Sequence, residues 1–281
     1  MKPGPLCHVT AGEALDPIAA PLTYPGAAPD SRAVLVTGTS VLAVRPSRTG
    51  ALGQWRVTLG PGESMALDDV LGERGAALTE NRVAVLAVGS NAAPAQIRRK
   101  LSTAGLAAAV PVTAVTVDGL SVGVSAHVSK AGYLPATPVP DPFANSQRMW
   151  VTWLAPDEVR TMDKTEPNYD RVHVPKSYSI QLTPVQTLSE CWVYVSRHGY
   201  LTERSGEPRK LTDQSALISR LLAELPALTD LAGTSPEEWI SRAHDQSMRD
   251  RIRDFFRSAG ITRAPDRDIW AAPKANSGDD Q

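Results

Sequence analysis

Between residues 83 and 91 the chain reads Val-Ala-Val-Leu-Ala-Val-Gly-Ser-Asn, and no other stretch limits the fold as much. An apolar run this short, with no polar face, reads as a fully buried strand. Ala92 to Leu101 then reads as a helix. Ser90 or Asn91 is placed to cap it, Pro94 suits its first turn, and Arg98 to Lys100 sit near its C-terminal end, where cations are favoured. A strand that ends in small polar residues at a helix N-terminus gathers unpaired N–H groups at one point. Such a point favours anions, carboxylates included. On local chemistry alone, an ordinary strand-to-helix turn is the commoner meaning of such a short pattern.

Around this centre the chain divides by its punctuation. Residues 1 to 30 carry six prolines, from Pro3 to Pro29, which oppose both helix and central strand and predict an extended arm. Ala33 to Val44 is strand-like with a bend at Gly38, Gln54 to Leu59 alternates as an antiparallel partner should, and Asp68 to Leu78 is a short helix. Val34 to Ser40, VLVTGTS, imitates the opening of a dinucleotide-binding turn. It lacks the further glycines that let backbone approach a pyrophosphate, so no nicotinamide or flavin site is expected there. Val110 to Val117 and Leu120 to Val128 flank Asp118-Gly119 and predict a hairpin. Residues 131 to 145, with four prolines, predict a loop. Arg148 to Leu154 is a strand and Ala155 to Met162 a short helix opened by Pro156. Strands then cover Arg171 to Val174, Ser179 to Leu182 and Glu190 to Ser196. The tail is helical: Leu211 to Leu225, capped by Thr212 or Asp213, and a second helix from a capping box at Ser235 to Glu238 through to Gly260. Residues 271 to 281 read as a frayed end.

Composition removes several function classes. With 29 Lys and Arg against 30 Asp and Glu the net charge is −1, which offers no electrostatic reason to bind nucleic acid or an anionic membrane. No run approaches the length of a membrane span and no signal pattern opens the chain, so a cytoplasmic location is expected. Cys7 and Cys191 form no CxxC pair. No metal site and no cofactor are expected, and the two thiols are read as free, with one disulfide between them left open.

Two motifs, in this order, carry a resemblance. Val88-Gly89-Ser90-Asn91 ends the central strand, and Met162-Asp163-Lys164-Thr165-Glu166 follows later, with Tyr169 and Arg171 after it. Together with Ser125 to Val128 and Leu134 to Thr137 they resemble the gamma-glutamylcyclotransferase-like family, in a bacterial subgroup, over roughly residues 82 to 196. The resemblance implies an α+β fold: a small mixed β-barrel with peripheral helices and a pocket at its mouth. It accounts for the barrel over 81–200; the N-terminal arm and β extension over 1–80, the C-terminal helical region over 201–270 and the tail at 271–281 have no place in the minimal family domain.

It also implies a chemistry. Such enzymes cyclise a γ-glutamyl amide, releasing 5-oxoproline and a free amine with no cofactor. Glu166 then corresponds to the general acid and base. Val88, Gly89, Ser90 and Asn91, with His127 and Tyr169, would bind the substrate. Two departures are plain in the residues: Val88 stands where the family has tyrosine, and Pro167 pushes Glu166 away from helical angles, onto a loop. Without the resemblance, Glu166 would be one acid on a solvated face and His127 a structural histidine. Asp170, His173 and Ser177 lie close in sequence, but no nucleophile elbow accompanies them. Two other functions fit the same pocket: an amide hydrolase or acyl-transfer enzyme, and a non-catalytic module for small anions. The regions outside 82–196 serve to recognise a larger amine-bearing substrate, to build a homodimer, or as bulk alone.

Overall fold

The computed structural model describes residues 16–266 and 268–270. The expectations for residues 1–15, for pairing of Cys7, and for the tail at 271–281 lie outside the described residues. In chain order the strands and helices are β1 (Ala33–Thr37), β2 (Val41–Arg45), β3 (Arg56–Gly60), β4 (Glu63–Ala66), α1 (Leu67–Glu73), β5 (Val83–Ala87) and α2 (Pro94–Thr103). Then come β6 (Ala109–Val117), β7 (Leu120–Val124), β8 (Ala136–Pro140), β9 (Gln147–Leu154), α3 (Pro156–Thr165), β10 (Tyr169–His173), β11 (Ile180–Thr183), β12 (Gln186–Thr187), β13 (Trp192–Ser196) and β14 (Tyr200–Leu201). The chain closes with α4 (Gln214–Glu224), α5 (Pro226–Ala232), α6 (Pro236–Ala243), α7 (Gln246–Ser258) and β15 (Thr262–Arg263).

The central strand is β5, and its unbroken apolar run has a packing reason. Val85 and Ala87 face Ile97 and Leu101 of α2 and Val159 and Met162 of α3. Ala84 and Leu86 face the other way, into a cluster with Val172, Val193 and Val195. Helices cover one face and strands fill the other, so neither can be polar. On its edges β5 pairs antiparallel with β9 and parallel with β13.

The small mixed β-barrel is not found. Eleven strands make one large mixed sheet, which runs β10-β13-β5-β9-β6-β1-β2-β3-β4 with β11 and β12 added beside β6. A barrel needs its first and last strands to pair, and among the described residues nothing joins β10 to β4. The sheet of this α+β fold is open; α2 and α3 cover one face of it, and α4 to α7 gather apart from it, behind β7.

Other expectations are corrected by non-local pairing. The Asp118-Gly119 turn forms, with Gly119 at φ +82, but its arms do not pair with each other. One edge of β6 is taken by β9 and the other by β1 and β11, so β7 leaves to pair with β8 in a two-stranded sheet. That partner lies in the proline-rich stretch read as a loop. Pro138 and Pro140 are two residues apart, which puts both missing N–H groups on one edge of the strand. In the tail, Asp213 caps α4 by accepting from Ala216 N at 3.0 Å, and Pro226 starts the unexpected α5. The single helix expected from Ser235 to Gly260 is two, because Asp245 leaves helical geometry and caps α7, accepting from Ser247 N at 2.8 Å. Ser235 caps α6 but the box is half formed, since the Glu238 carboxylate turns to Thr234 N instead.

Helices α4 to α7 bury Trp239, Ile252 and Phe256 against Val124, Ala126, Val128 and Leu134. The segment between β7 and β8 is thereby held from behind. Among the described residues no helix is long and apolar enough to cross a membrane.

Candidate functional site

The link from β5 to α2 is a turn rather than a direct helix start. Ser90–Ala92 forms one 3-10 turn, and Ala93, without a side-chain cap, precedes Pro94 at the head of α2. Neither Ser90 nor Asn91 caps the helix. The turn's own bonds run from Ala92 N to Gly89 O and from Ala93 N to Ser90 O, so the N–H groups of residues 89–91 are not used within it. Freed from capping, the Asn91 side chain turns into a cavity of about 570 Å³. That volume suits a small-molecule ligand.

Glu166 enters the same cavity from the end of α3. It is the helix's C-terminal cap residue, at φ −117 and ψ 54, which is the non-helical geometry that Pro167 imposes. Asn91 Nδ2 donates to Glu166 Oε1 at 3.0 Å. Lys100 Nζ donates to the same oxygen at 2.6 Å and to Asn91 Oδ1 at 2.7 Å. Three side chains from two distant motifs thus form a closed triangle. Among the described residues both bonds to Glu166 land on Oε1, and its second oxygen takes none. Lys100 is 6% exposed and Glu166 16%, so their attraction is little screened by water.

Lys100 was not foreseen, although a signal for it exists. Ile97 and Leu101 mark the buried face of α2, and Lys100 falls on that face at i+3 from Ile97. A lysine placed there needs a buried partner. Its reading as a cation at a helix end missed this.

Around the triangle stand three tyrosines. Tyr169 Oη donates to Ala136 O at 2.8 Å, and Ala136 N donates to Tyr24 Oη at 2.8 Å, so two phenols hold the backbone of one residue from both sides. The Tyr169 hydrogen is therefore engaged with protein. Tyr24 also stacks on Tyr133 with ring centroids 4.1 Å apart. Burial pushes the Tyr24 and Tyr169 hydroxyls far above the usual phenol range, and burial, followed by the Glu166 charge, moves Tyr133 up to about 12. All three are neutral donors and acceptors at pH 7. Tyr24 comes from the arm that was read only as extended chain, so this wall too was missed. Gly89 is explained by the same wall: a Cβ there would overlap the Tyr24 oxygen.

Val88, Gly89 and Ser90 line the cavity, and Val88 also packs toward the strand-filled side of the sheet. His127 lines it while being 5% exposed. Its Nδ1 lies 2.6 Å from Ser125 Oγ, which bonds Ser196 Oγ at 2.6 Å. Burial, then the neighbouring His198 and Arg253, pull the imidazole down to about 3, so it is neutral. Asp170, His173 and Ser177 form no relay: Asp170 pairs with Arg197, and His173 stacks on Trp192. Cys191 is a buried free thiol, and among the described residues no group of three His, Cys, Asp or Glu could hold a metal ion.

The cavity is also cationic at its edge. Arg99, Lys100 and Lys130 line it against Glu166, with Arg99 paired to Asp16 at 2.9 Å. An arrangement with neutral phenols, one carboxylate with a free oxygen, and N–H groups unused by their own turn can bind an anionic molecule and move a proton.

No family model matches the chain, and no curated protein matches it. Among solved structures, a chain titled "Gamma-glutamyl cyclotransferase" is similar at 12% identity and a TM-score of 0.32, over 62% of this chain and 99% of that one. A likeness that low carries no argument about this chain, and the chemistry has to be read from side chains.

Proposed function

We propose that the protein cyclises a γ-glutamyl amide, releasing 5-oxoproline and an amine, with Glu166 as general base and then general acid. The observation that carries this reading is the triangle of Asn91, Lys100 and Glu166, because it joins a proton acceptor to an anion-favouring turn inside one cavity.

The steps balance as follows. Glu166 takes a proton from the substrate's α-ammonium group, through the carboxylate oxygen that protein leaves unbonded. The amine nitrogen attacks the γ-carbonyl carbon, a carbon–nitrogen bond forms, and negative charge moves to the carbonyl oxygen. Glu166 returns its proton to the amide nitrogen, the old carbon–nitrogen bond breaks, and the amine leaves. The ring nitrogen gives its extra proton to Glu166, which passes it to the departing amine; the amine leaves as an ammonium ion, Glu166 is a carboxylate again, and no water is consumed. Attack within one molecule makes positioning a large part of the acceleration. The N–H groups of Gly89 and Asn91 hold the α-carboxylate or the developing oxyanion, the Ser90 N–H being engaged by the Tyr24 hydroxyl. An ammonium has three donors, so the Lys100 bonds to Glu166 and Asn91 leave one for an anion at the same point. Tyr169 and Tyr24 shape the wall through Ala136.

The test is a panel of γ-glutamyl amines and dipeptides incubated with the full chain, with acyl products identified by mass spectrometry. 5-Oxoproline is expected, together with a loss of about 10²–10⁴-fold in Glu166→Gln while its circular dichroism stays native. Glutamate as the product would replace cyclisation by hydrolysis. Ligand-dependent stabilisation with no product would leave a binding module, and a fully active folded Glu166→Gln would remove the residue from the mechanism.

A further inference from the structure

A second depression, of about 660 Å³, opens where the large sheet divides. One edge of β6 carries β1 as far as Thr113 and takes up β11 from Thr116. Between the two, Ala114 and Val115 floor a notch. Its walls are the chain after β2 and the end of β11. They are tied together by Thr183 Oγ1 donating to Arg48 O at 3.3 Å and Gln186 Nε2 donating to Gly50 O at 3.2 Å. The notch is therefore braced on both sides.

Three arginines from three separate elements converge on it: Arg32 ahead of β1, Arg48 after β2 and Arg148 on β9. The Arg148 guanidinium lies over the Trp150 ring at 5.1 Å, which limits its freedom. Arg148 stands opposite Thr116, and Thr116 stands opposite Gln181, so two more polar side chains share its row. No Asp or Glu lines the notch, although the chain has 30 of them. Nor does any of the three arginines form an ion pair among the described residues. Like charges gathered without a counter-charge repel one another and destabilise the compact state. An anion in the notch reverses the sign of that contribution.

From this geometry we infer that the notch binds a compact oligo-anion, a small molecule with two or more phosphate or carboxylate groups. Guanidinium forks match both groups in a bidentate manner. Three forks around one volume favour a ligand carrying several such groups over a single monoanion. The site is separate from the cavity that holds Glu166: the residues lining the two do not overlap.

Calorimetric titration of the full chain tests this, with pyrophosphate and citrate as probes at low and at high salt. One binding site is expected for at least one probe, and the stronger of the two identifies phosphate or carboxylate as the preferred group. Affinity should fall at least about tenfold in the double variant Arg32→Gln/Arg148→Gln and should weaken with salt. Both side chains are exposed and their removal relieves the repulsion, so the variant without ligand should melt at or above the temperature of the parent. The control Arg251→Gln, at an exposed position of α7, should bind as the parent does. No binding of either probe at about 10 mM, or equal binding by the double variant, overturns the inference. So does tighter binding of a short single-stranded DNA, which would make the surface a nucleic-acid contact.

Discussion

Replacing Gly89 with alanine tests whether the turn at the cavity is locked to the N-terminal segment. The backbone there has φ −135, a negative value open to any residue. The obstacle is the neighbour. A Cβ would overlap the Tyr24 hydroxyl oxygen and come within 3.1 Å of Ala136 Cβ. Tyr24 has little room to withdraw: it is 5% exposed, stacks on Tyr133, and accepts the Ala136 N–H. Displacing it strands a buried N–H, costing about 1–3 kcal/mol, and crowding a packed site adds about 1–3 kcal/mol. The narrower unfolded ensemble of alanine offsets about 0.4–1 kcal/mol. The net loss is roughly 1–6 kcal/mol, a fall in melting temperature of roughly 3–15 °C for a chain of this size. Thermal melting followed by circular dichroism measures it. Tyr24→Phe alone loses the Ala136 bond but makes room for the methyl group. The double variant should therefore be little less stable than Tyr24→Phe alone, a coupling of at least about 1 kcal/mol. If Gly89→Ala melts within about 2 °C of the parent, or if the two effects add, the contact does not have the meaning given to it.

Acid should act on the network behind the cavity. His127 is held at about 3 in the folded protein, below its ordinary 6.5, so below pH 6.5 the unfolded chain takes up a proton that the folded one refuses. Stability from this group is complete above pH 6.5 and drains away as pH falls toward 3. In His127→Gln the loss over that window should be shallower, as read by urea melts at several pH values. Asp163 behaves similarly at lower pH: partial burial raises its carboxyl, but bonds from Arg171 and the Tyr194 hydroxyl outweigh this and hold it below the usual range. Asp163→Asn should lose about 1 kcal/mol at pH 7, a modest figure because the pair is partly exposed. The gap should close as pH drops below about 4, and a gap independent of pH would refute the assignment.

How much of this was readable in the residues depends on the range of the interaction concerned. The strand at 83–87 and the helix at 94–103 are local patterns, and the chain obeys them. The resemblance implies that residues 89–91 and Glu166 share one cavity; both line it, and of the three only Asn91 is bonded to Glu166 among the described residues. What local pattern could not carry was partner choice. A turn at Asp118-Gly119 sets a change of direction, yet β7 pairs with β8 because both edges of β6 are already taken. The barrel failed for the same reason, since closure depends on the two end strands and neither announces its neighbour. Prolines hid β8, and the break at Asp245 left only a faint mark, the nine-residue step from Ala243 to Ile252 that falls half a turn out of the phase of Trp239 and Ala243.

The regions on either side of the resemblance are built into the cavity. Tyr24 supplies a wall from the N-terminal side, and Asp16 anchors Arg99 at the rim. From the C-terminal side, His244 lines the opening, and the cluster around Trp239 and Phe256 backs the segment from 124 to 134, whose Trp239 Nε1 bond to Gly132 O is 2.9 Å. Residues 127–136 thus stand between helices on one side and the tyrosine wall on the other. Their position sets the distance from Ala136 to Glu166, because Tyr169, three residues beyond Glu166, is tied to Ala136 O. The cavity's shape consequently depends on segments from both sides of residues 82–196. A fragment limited to residues 82–196 would lack Tyr24, Asp16 and His244, and would expose the apolar backs of Val124, Val128 and Leu134. Extra chain that served only as bulk would leave the cavity intact when removed, and these contacts argue against that use.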